Sequence, residues 1–339
     1  MNASSNTASV LAQSIPVFSA DDFLIVDGAN IDDSLSFAAE ATLDDVYEFG
    51  QHAERKRLSL LAQTDGTYVI GQDTQTGEPN ARVIVDSCLT VMNTQGVTLE
   101  LLLLVELDEE ELVANLHVLP LAPLTPTAQY RLVGIEIGNA ARKLAQVACV
   151  SFSRGTKITM SSGAQKSIEE LKVGDKVLTR DDGGQEIRWI GQNTVRAVGD
   201  FAPIVIKAGA LNNTNDLIVS PDHRLFIYQR RDALGAGRSE VLVKARHLVN
   251  DDTVTQQDGG FIEYFQLLFD QHEIIYAEGI AAETLLVDTR TRPALTDNVS
   301  EEVLETLNGH SGWLHQEFEV GADLLGPDAA EKLRKASKR

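Results

Sequence analysis

Ser151-Phe-Ser-Arg-Gly-Thr156-Lys157-Ile-Thr-Met160 is the stretch on which the fold turns, because Lys157-Ile-Thr-Met160 begins a regular series of short apolar runs separated by turn residues. The series continues through Lys176-Val-Leu-Thr179, Ile187-Arg-Trp-Ile190, Ile204-Val-Ile206, Leu217-Ile-Val219, Leu225-Phe-Ile-Tyr228, Glu240-Val-Leu-Val243, Phe261-Ile-Glu-Tyr-Phe265 and Glu273-Ile-Ile-Tyr-Ala277. Runs this short and this closely spaced are the strands of an all-β domain.

Upstream, the same pattern recurs in Phe23-Leu-Ile-Val26, Leu58-Ser-Leu-Leu61, Tyr68-Val-Ile70, Ala81-Arg-Val-Ile-Val85, Leu99 to Leu107, Leu116 to Leu121 and Tyr130 to Ile137. The turns Thr64-Asp-Gly-Thr67, Asp73-Thr-Gln-Thr-Gly77 and Asn93-Thr-Gln-Gly96 fit hairpins, so this half is expected to be a sandwich or meander. Between the halves, Ala140, Leu144 and Val147 recur at helical spacing. Near the end, Glu301-Glu-Val-Leu-Glu-Thr-Leu307 and Pro327-Asp-Ala-Ala-Glu-Lys-Leu-Arg-Lys335 have helical period, the latter opened by Pro at a first helical position. The expected fold is mainly β: a disordered leader (1–20), a small β-rich N-terminal domain (21–136), a helical linker (137–147), an all-β domain (148–290) and a short helical tail (291–339).

The chain has 339 residues with 29 Lys and Arg against 50 Asp and Glu, a net charge of -21. That length supports two domains, and that charge speaks against nucleic acid or an anionic membrane as the main partner. The basic end from Lys332 to Arg339 is too short to reverse this field. Two cysteines, Cys88 and Cys149, make neither a disulfide framework nor a thiolate metal site, and both fit as small core residues. The histidines are scattered singly, so no metal and no cofactor are expected; His52 and His117 are assigned no chemistry. No secretory signal and no transmembrane segment are expected, which gives a cytoplasmic default and leaves signal-less export open.

Four motifs in order carry a resemblance. Ser151-Phe-Ser-Arg-Gly-Thr156, Ile168-Glu-Glu-Leu-Lys-Val-Gly-Asp175 with Val177-Leu-Thr-Arg180, Val219-Ser-Pro-Asp-His-Arg224, and Phe269-Asp-Gln-His-Glu-Ile-Ile-Tyr-Ala-Glu-Gly279 resemble the motifs of the Hedgehog/intein (Hint) domain. The resemblance is nearest to the bacterial branch in which such a domain follows a small β-rich region. It implies an all-β Hint fold and autoprocessing: a Cys or Ser at the start of the domain attacks the carbonyl of the preceding residue. Here that places the nucleophile at Ser151 and the scissile bond at Val150-Ser151, with a hydroxyl where the family most often has a thiol. Cys149 is not the nucleophile, since Gly155-Thr156 would then stand two residues too far away.

In the same resemblance His223, at the histidine of the middle motif, polarises the scissile amide and protonates its nitrogen. The requirement is physical, because acyl transfer needs a donor for the leaving amine. Ser220, at the hydroxyl position of that motif, is placed to hold the carbonyl oxygen, and Val150 and Thr156 are supporting residues. Asp270 and His272 are two residues apart, hence on one face if the segment is extended, and either can take the Ser151 proton. His247 stays outside this group.

The stretch Gly279-Ile-Ala-Ala-Glu-Thr284 lacks the Asn whose cyclisation completes splicing, so N-terminal cleavage alone is implied. The substrate is then the protein's own N-terminal segment, and water or a small nucleophile is the acceptor; no sterol-binding region is identifiable. Two alternatives remain: an inert Hint-fold structural or interaction module, and a hydrolase acting on outside substrates through Ser151, His223 and Asp270, for which no Gly-x-Ser-x-Gly precedes the serine.

Overall fold

The computed structural model describes residues 12–63, 65, 67–197, 202–287, 291, 295, 318–321, 324–326 and 328–337. The chain divides into two compact units, Met1–Gln146 and Val147–Arg339.

The first unit is one antiparallel sheet built from β1 (Ala12–Ser19), β2 (Phe23–Asp27), β3 (Val46–Phe49), β4 (Lys56–Ala62), β5 (Tyr68–Ile70), β6 (Arg82–Asn93), β7 (Thr98–Leu107), β8 (Val113–Pro120) and β9 (Gln129–Glu136). Its order is β2-β3-β9-β6-β5-β4-β1-β8-β7, and β7 returns to pair with β6. The strands from β6 round to β7 therefore close on themselves, a barrel rather than the sandwich or meander expected. Closure removes the free edges that an open sheet would present. Long β6 makes this possible, pairing with β7 along one side and with β5 and then β9 along the other.

Strand β1 corrects the leader expected over 1–20. Ala12–Ser19 pairs with β4 and β8 and buries Ile15 and Val17 at the alternating positions of a strand. Pro16 argues against a strand in sequence, yet it lies where only β4 is paired, since β8 joins β1 at Phe18 and Ser19. Its missing N–H costs no ladder bond on the open side. His117 is fully enclosed, its Nε2 2.7 Å from Glu106 Oε2. A helix α1 (Ala140–Ala148) follows this unit's last strand.

The second unit holds two six-stranded antiparallel sheets. One has the order β15 (Trp189–Arg196), β21 (Phe261–Leu268), β10 (Phe152–Ser153), β17 (Leu217–Val219), β16 (Ile204–Ile206) and β20 (Val254–Gln256). The other has the order β12 (Gln165–Ser167), β11 (Lys157–Thr159), β22 (Ile274–Ala277), β23 (Ile280–Glu283), β18 (Arg224–Tyr228) and β19 (Glu240–Lys244). A small hairpin of β13 (Lys176–Leu178) and β14 (Gly184–Glu186) completes it. Both sheets contribute to one apolar core that includes Phe152, Leu217, Leu225, Phe265 and Ile275. The unit is mainly β with a short terminal helix, as expected.

The terminal helix α2 (Ala329–Ser337) inserts Ala329, Ala330 and Leu333 into that same core. Its amphipathic spacing explains why it docks rather than standing in solvent. The helix expected over Glu301–Leu307 and the opening Pro327 lie outside the described residues. Among the described residues no helix is long and apolar enough to cross a membrane.

Candidate functional site at the head of the second unit

Strand β10 is only two residues long, but it lies between β17 and β21 in the middle of its sheet. Phe152 pairs with Val219 on one side and Phe265 on the other. This fixes the residue before it: Ser151 is held in the ladder and is 3% exposed. Val150 is also buried, so the Val150-Ser151 peptide bond is shielded from water. After β10 the chain turns at Gly155, whose φ of +88° favours glycine, and Gly155 N–H donates to Glu169 Oε2. Thr156 is buried in this turn, its N–H on the carbonyl of Ser153.

The segment Ser220-Pro-Asp-His223 is the link between the sheets, joining β17 in one to β18 in the other. His223 N–H donates to the Ser220 carbonyl at 3.0 Å, closing a β-turn for which Pro221 supplies the fixed φ of the second position. The turn faces Ser151 from three atoms. Ser220 N–H donates to the Ser151 carbonyl at 3.0 Å, and Ser151 N–H donates to Ser220 Oγ at 3.0 Å. His223 Nδ1 lies 3.1 Å from the same Ser151 carbonyl oxygen. The His223 ring also stands edge-on to Phe152, with centroids 4.4 Å apart. Ser220 Oγ thus meets the Ser151 amide nitrogen, not the carbonyl oxygen expected of it; its other contact is the Cys149 carbonyl at 3.5 Å.

On the opposite strand, Gln266 Nε2 donates to Ser151 Oγ at 3.1 Å. The antiparallel register that sets Phe152 against Phe265 brings Gln266 beside Ser151, a pairing no local motif could reveal.

His223 is completely buried, and burial holds its imidazole below the ordinary histidine range against the pull of the nearby Glu283 carboxylate and two carbonyls. Its Nε2 lies 3.0 Å from the Glu283 carbonyl oxygen. Glu283 ends β23, and the tight hairpin between β22 and β23 turns through Glu278 and Gly279, both at positive φ, as this type of turn requires. The Glu283 carboxylate is 1% exposed and accepts from Arg224 N–H at 3.2 Å and Arg224 Nη1 at 2.9 Å. Burial acts to raise this carboxyl, but Arg224, His272 and His223 outweigh it and hold it at about 2.

Asp270 and His272 do not share a face. Strand β21 ends at Leu268, so the alternation expected of an extended segment stops before them. Asp270 turns outward and makes a bidentate pair with Arg188, at 2.9 and 2.7 Å. His272 turns inward, with Nε2 3.5 Å from Glu283 Oε2 and Nδ1 buried without a hydrogen-bond partner. The structure therefore brings Ser151, Ser220 and His223 together, carries His272 to the same cluster through Glu283, and separates Asp270 from it. Glu283, Arg224 and Gln266 are the parts that the motifs alone did not assign. Among the described residues no group of three or more His, Cys, Asp or Glu is arranged to hold a metal.

A buried serine thus stands at the head of the second unit, with its backbone clamped by a Ser-Pro-Asp-His turn. Residues 150–289 match the family model of the Hint domain, and this part of the chain is a Hint domain. A stretch of 92 residues, 26% of this chain, is 32% identical to the catalytic subunit of the V-type proton ATPase of Candida tropicalis and spans 8% of that protein's length. Among solved structures, the Ssp DnaB mini-intein is similar over 41% of this chain and 97% of its own, at 11% identity and a TM-score of 0.27.

Proposed function

We propose that the chain cleaves itself at Val150-Ser151 by an N-to-O acyl shift, without C-terminal Asn cyclisation. Ser151 Oγ attacks the Val150 carbonyl carbon, the carbon–nitrogen bond breaks, and the hydroxyl proton is replaced on balance by one gained at the Ser151 nitrogen. The observation that carries this reading is the convergence on one residue: Ser220 Oγ on the Ser151 nitrogen, His223 on its carbonyl, and Gln266 on its hydroxyl. Ser220 Oγ is the group nearest the atom that must gain a proton, and His223 follows it in the same turn as the titratable source. Gln266 donates to the hydroxyl oxygen and so favours the negative charge that develops there.

An ester is less stable than the amide it replaces, so the shift goes to completion only when a second nucleophile removes the acyl group. Because the bond is buried, water reaches it slowly, and cleavage is slow with water as acceptor. The substrate is the protein's own segment up to Val150, and the acceptor is water or a small nucleophile. Purified protein followed on a gel beside Ser151→Ala and His223→Ala tests this: wild type yields two fragments, and both variants stay intact.

A second reading, an inert Hint-fold module, is favoured by one observation. Gln266 is an amide, not a base, and His272 faces Glu283 rather than the Ser151 hydroxyl.

A further inference from the structure

His223 is hemmed in by acceptors. Nδ1 lies 3.1 Å from the Ser151 carbonyl oxygen and Nε2 3.0 Å from the Glu283 carbonyl oxygen. Carbonyl oxygens only accept, and a neutral imidazole donates from one nitrogen only. Both contacts are hydrogen bonds at once only when the ring is an imidazolium. A cation in a completely buried site needs a negative partner, since water cannot reach it. The charged and titratable groups around the ring are the Glu283 carboxylate, the Arg224 guanidinium and, on the far side of Glu283, His272; Glu319 reaches Arg224 at 3.9 Å. Of these, Glu283 is the anion in the centre, held ionised by Arg224.

We propose that Glu283 is the positioning residue of this site: its main-chain carbonyl fixes the His223 ring, and its buried carboxylate is the counter-ion that lets His223 carry the proton it delivers. This rests on the self-cleavage reading for its purpose, but not for its test. One residue then governs both imidazoles, because the same carboxylate stands 3.5 Å from His272 Nε2. Arg224 opposes protonation of His223 and at the same time keeps Glu283 ionised, so the pair sets the acidity of the ring rather than simply stabilising the fold.

The test is a histidine titration by NMR in the Ser151→Ala protein, which stays intact whatever its cleavage chemistry. The His223 signal is identified by its loss in His223→Gln. With Glu283→Gln the His223 midpoint should fall by about one unit, and with Glu283→Asp, which keeps the charge, it should return at least half way. If Glu283→Gln fails to fold because Arg224 loses its buried carboxylate partner, the Arg224→Met/Glu283→Gln protein compared with Arg224→Met alone carries the same prediction. In the Ser151 parent, Glu283→Gln should slow cleavage about tenfold at pH 7 and recover as pH falls towards 6, whereas a merely structural defect slows it equally at both. A His223 midpoint unmoved in the folded variant overturns the proposal. A parent that never cleaves overturns the self-cleavage reading instead, while the titration still decides the role of Glu283.

Discussion

At Ser151 the hydroxyl accepts from Gln266 Nε2 while the backbone on either side is clamped by the Ser220 turn. A hydrogen bond to a charged group is worth about 1.5–3 kcal/mol, so Gln266→Leu should slow hydroxylamine-driven cleavage about 10- to 100-fold without unfolding the unit. An unchanged rate would mean that the amide does not touch the developing charge. Asp270 tests the opposite expectation. Its partner is Arg188 at the surface, so Asp270→Asn should leave the cleavage rate within about twofold and cost less than about 1 kcal/mol of stability in a denaturant titration. A large loss of cleavage would return Asp270 to the site. Ser151, Ser220 and His223 were legible because each sits in a short local motif whose spacing survives in the sequence. Gln266 was not, because it is 115 residues from Ser151 and is brought there only by strand register. Asp270 misled because two-residue alternation holds only while a strand continues, and β21 stops at Leu268.

At the scale of elements, the two sheets of the second unit were visible as short apolar runs, but their shortest strands were not. Phe152–Ser153, Gln165–Ser167 and Gly184–Glu186 have too few residues to show a period of their own. Their strand character comes from neighbours, as β10 shows by lying between two longer partners. Strand β1 was hidden in the same way, since its strand character comes from its pairing with β4 and β8. The terminal helix was legible from its period, and its burial was the added finding. Leu333 is fully buried in the core of the second unit, so Leu333→Ala should cost about 2–5 kcal/mol. Trp189 opens strand β15 of the second unit, so its fluorescence during denaturation reports on that unit. A variant as stable as wild type would mean that the helix is not part of this core.

For the molecule as a whole, two buried carboxyls give opposite pH dependences. Burial and the acidic neighbours Asp182 and Asp181 push the Glu273 carboxyl up to about 7, against a hydrogen bond from Thr179. A folded-state value above the unfolded one means that the native protein binds this proton more tightly. Stability from this group is full below about 4.5, declines as pH rises towards 7, and is flat beyond it. Glu283, held at about 2, has the opposite sign: its contribution is present above about 4.5 and is lost as pH falls towards 2. Glu273→Gln should therefore raise the melting temperature at pH 8 and leave it nearly unchanged at pH 4.5. An equal change at both would show that the carboxyl titrates normally.

The most direct measurement of self-cleavage is the intact mass of the purified chain over time with and without hydroxylamine, for wild type and Ser151→Cys. Hydroxylamine attacks an ester or thioester readily and an amide slowly, so it should release a fragment ending in a hydroxamate at Val150, and the thiol variant should do so faster because sulfur is the better nucleophile and leaving group. A correctly folded Ser151→Cys protein that stays whole in hydroxylamine would contradict self-cleavage and leave the second unit as an inert Hint-fold module.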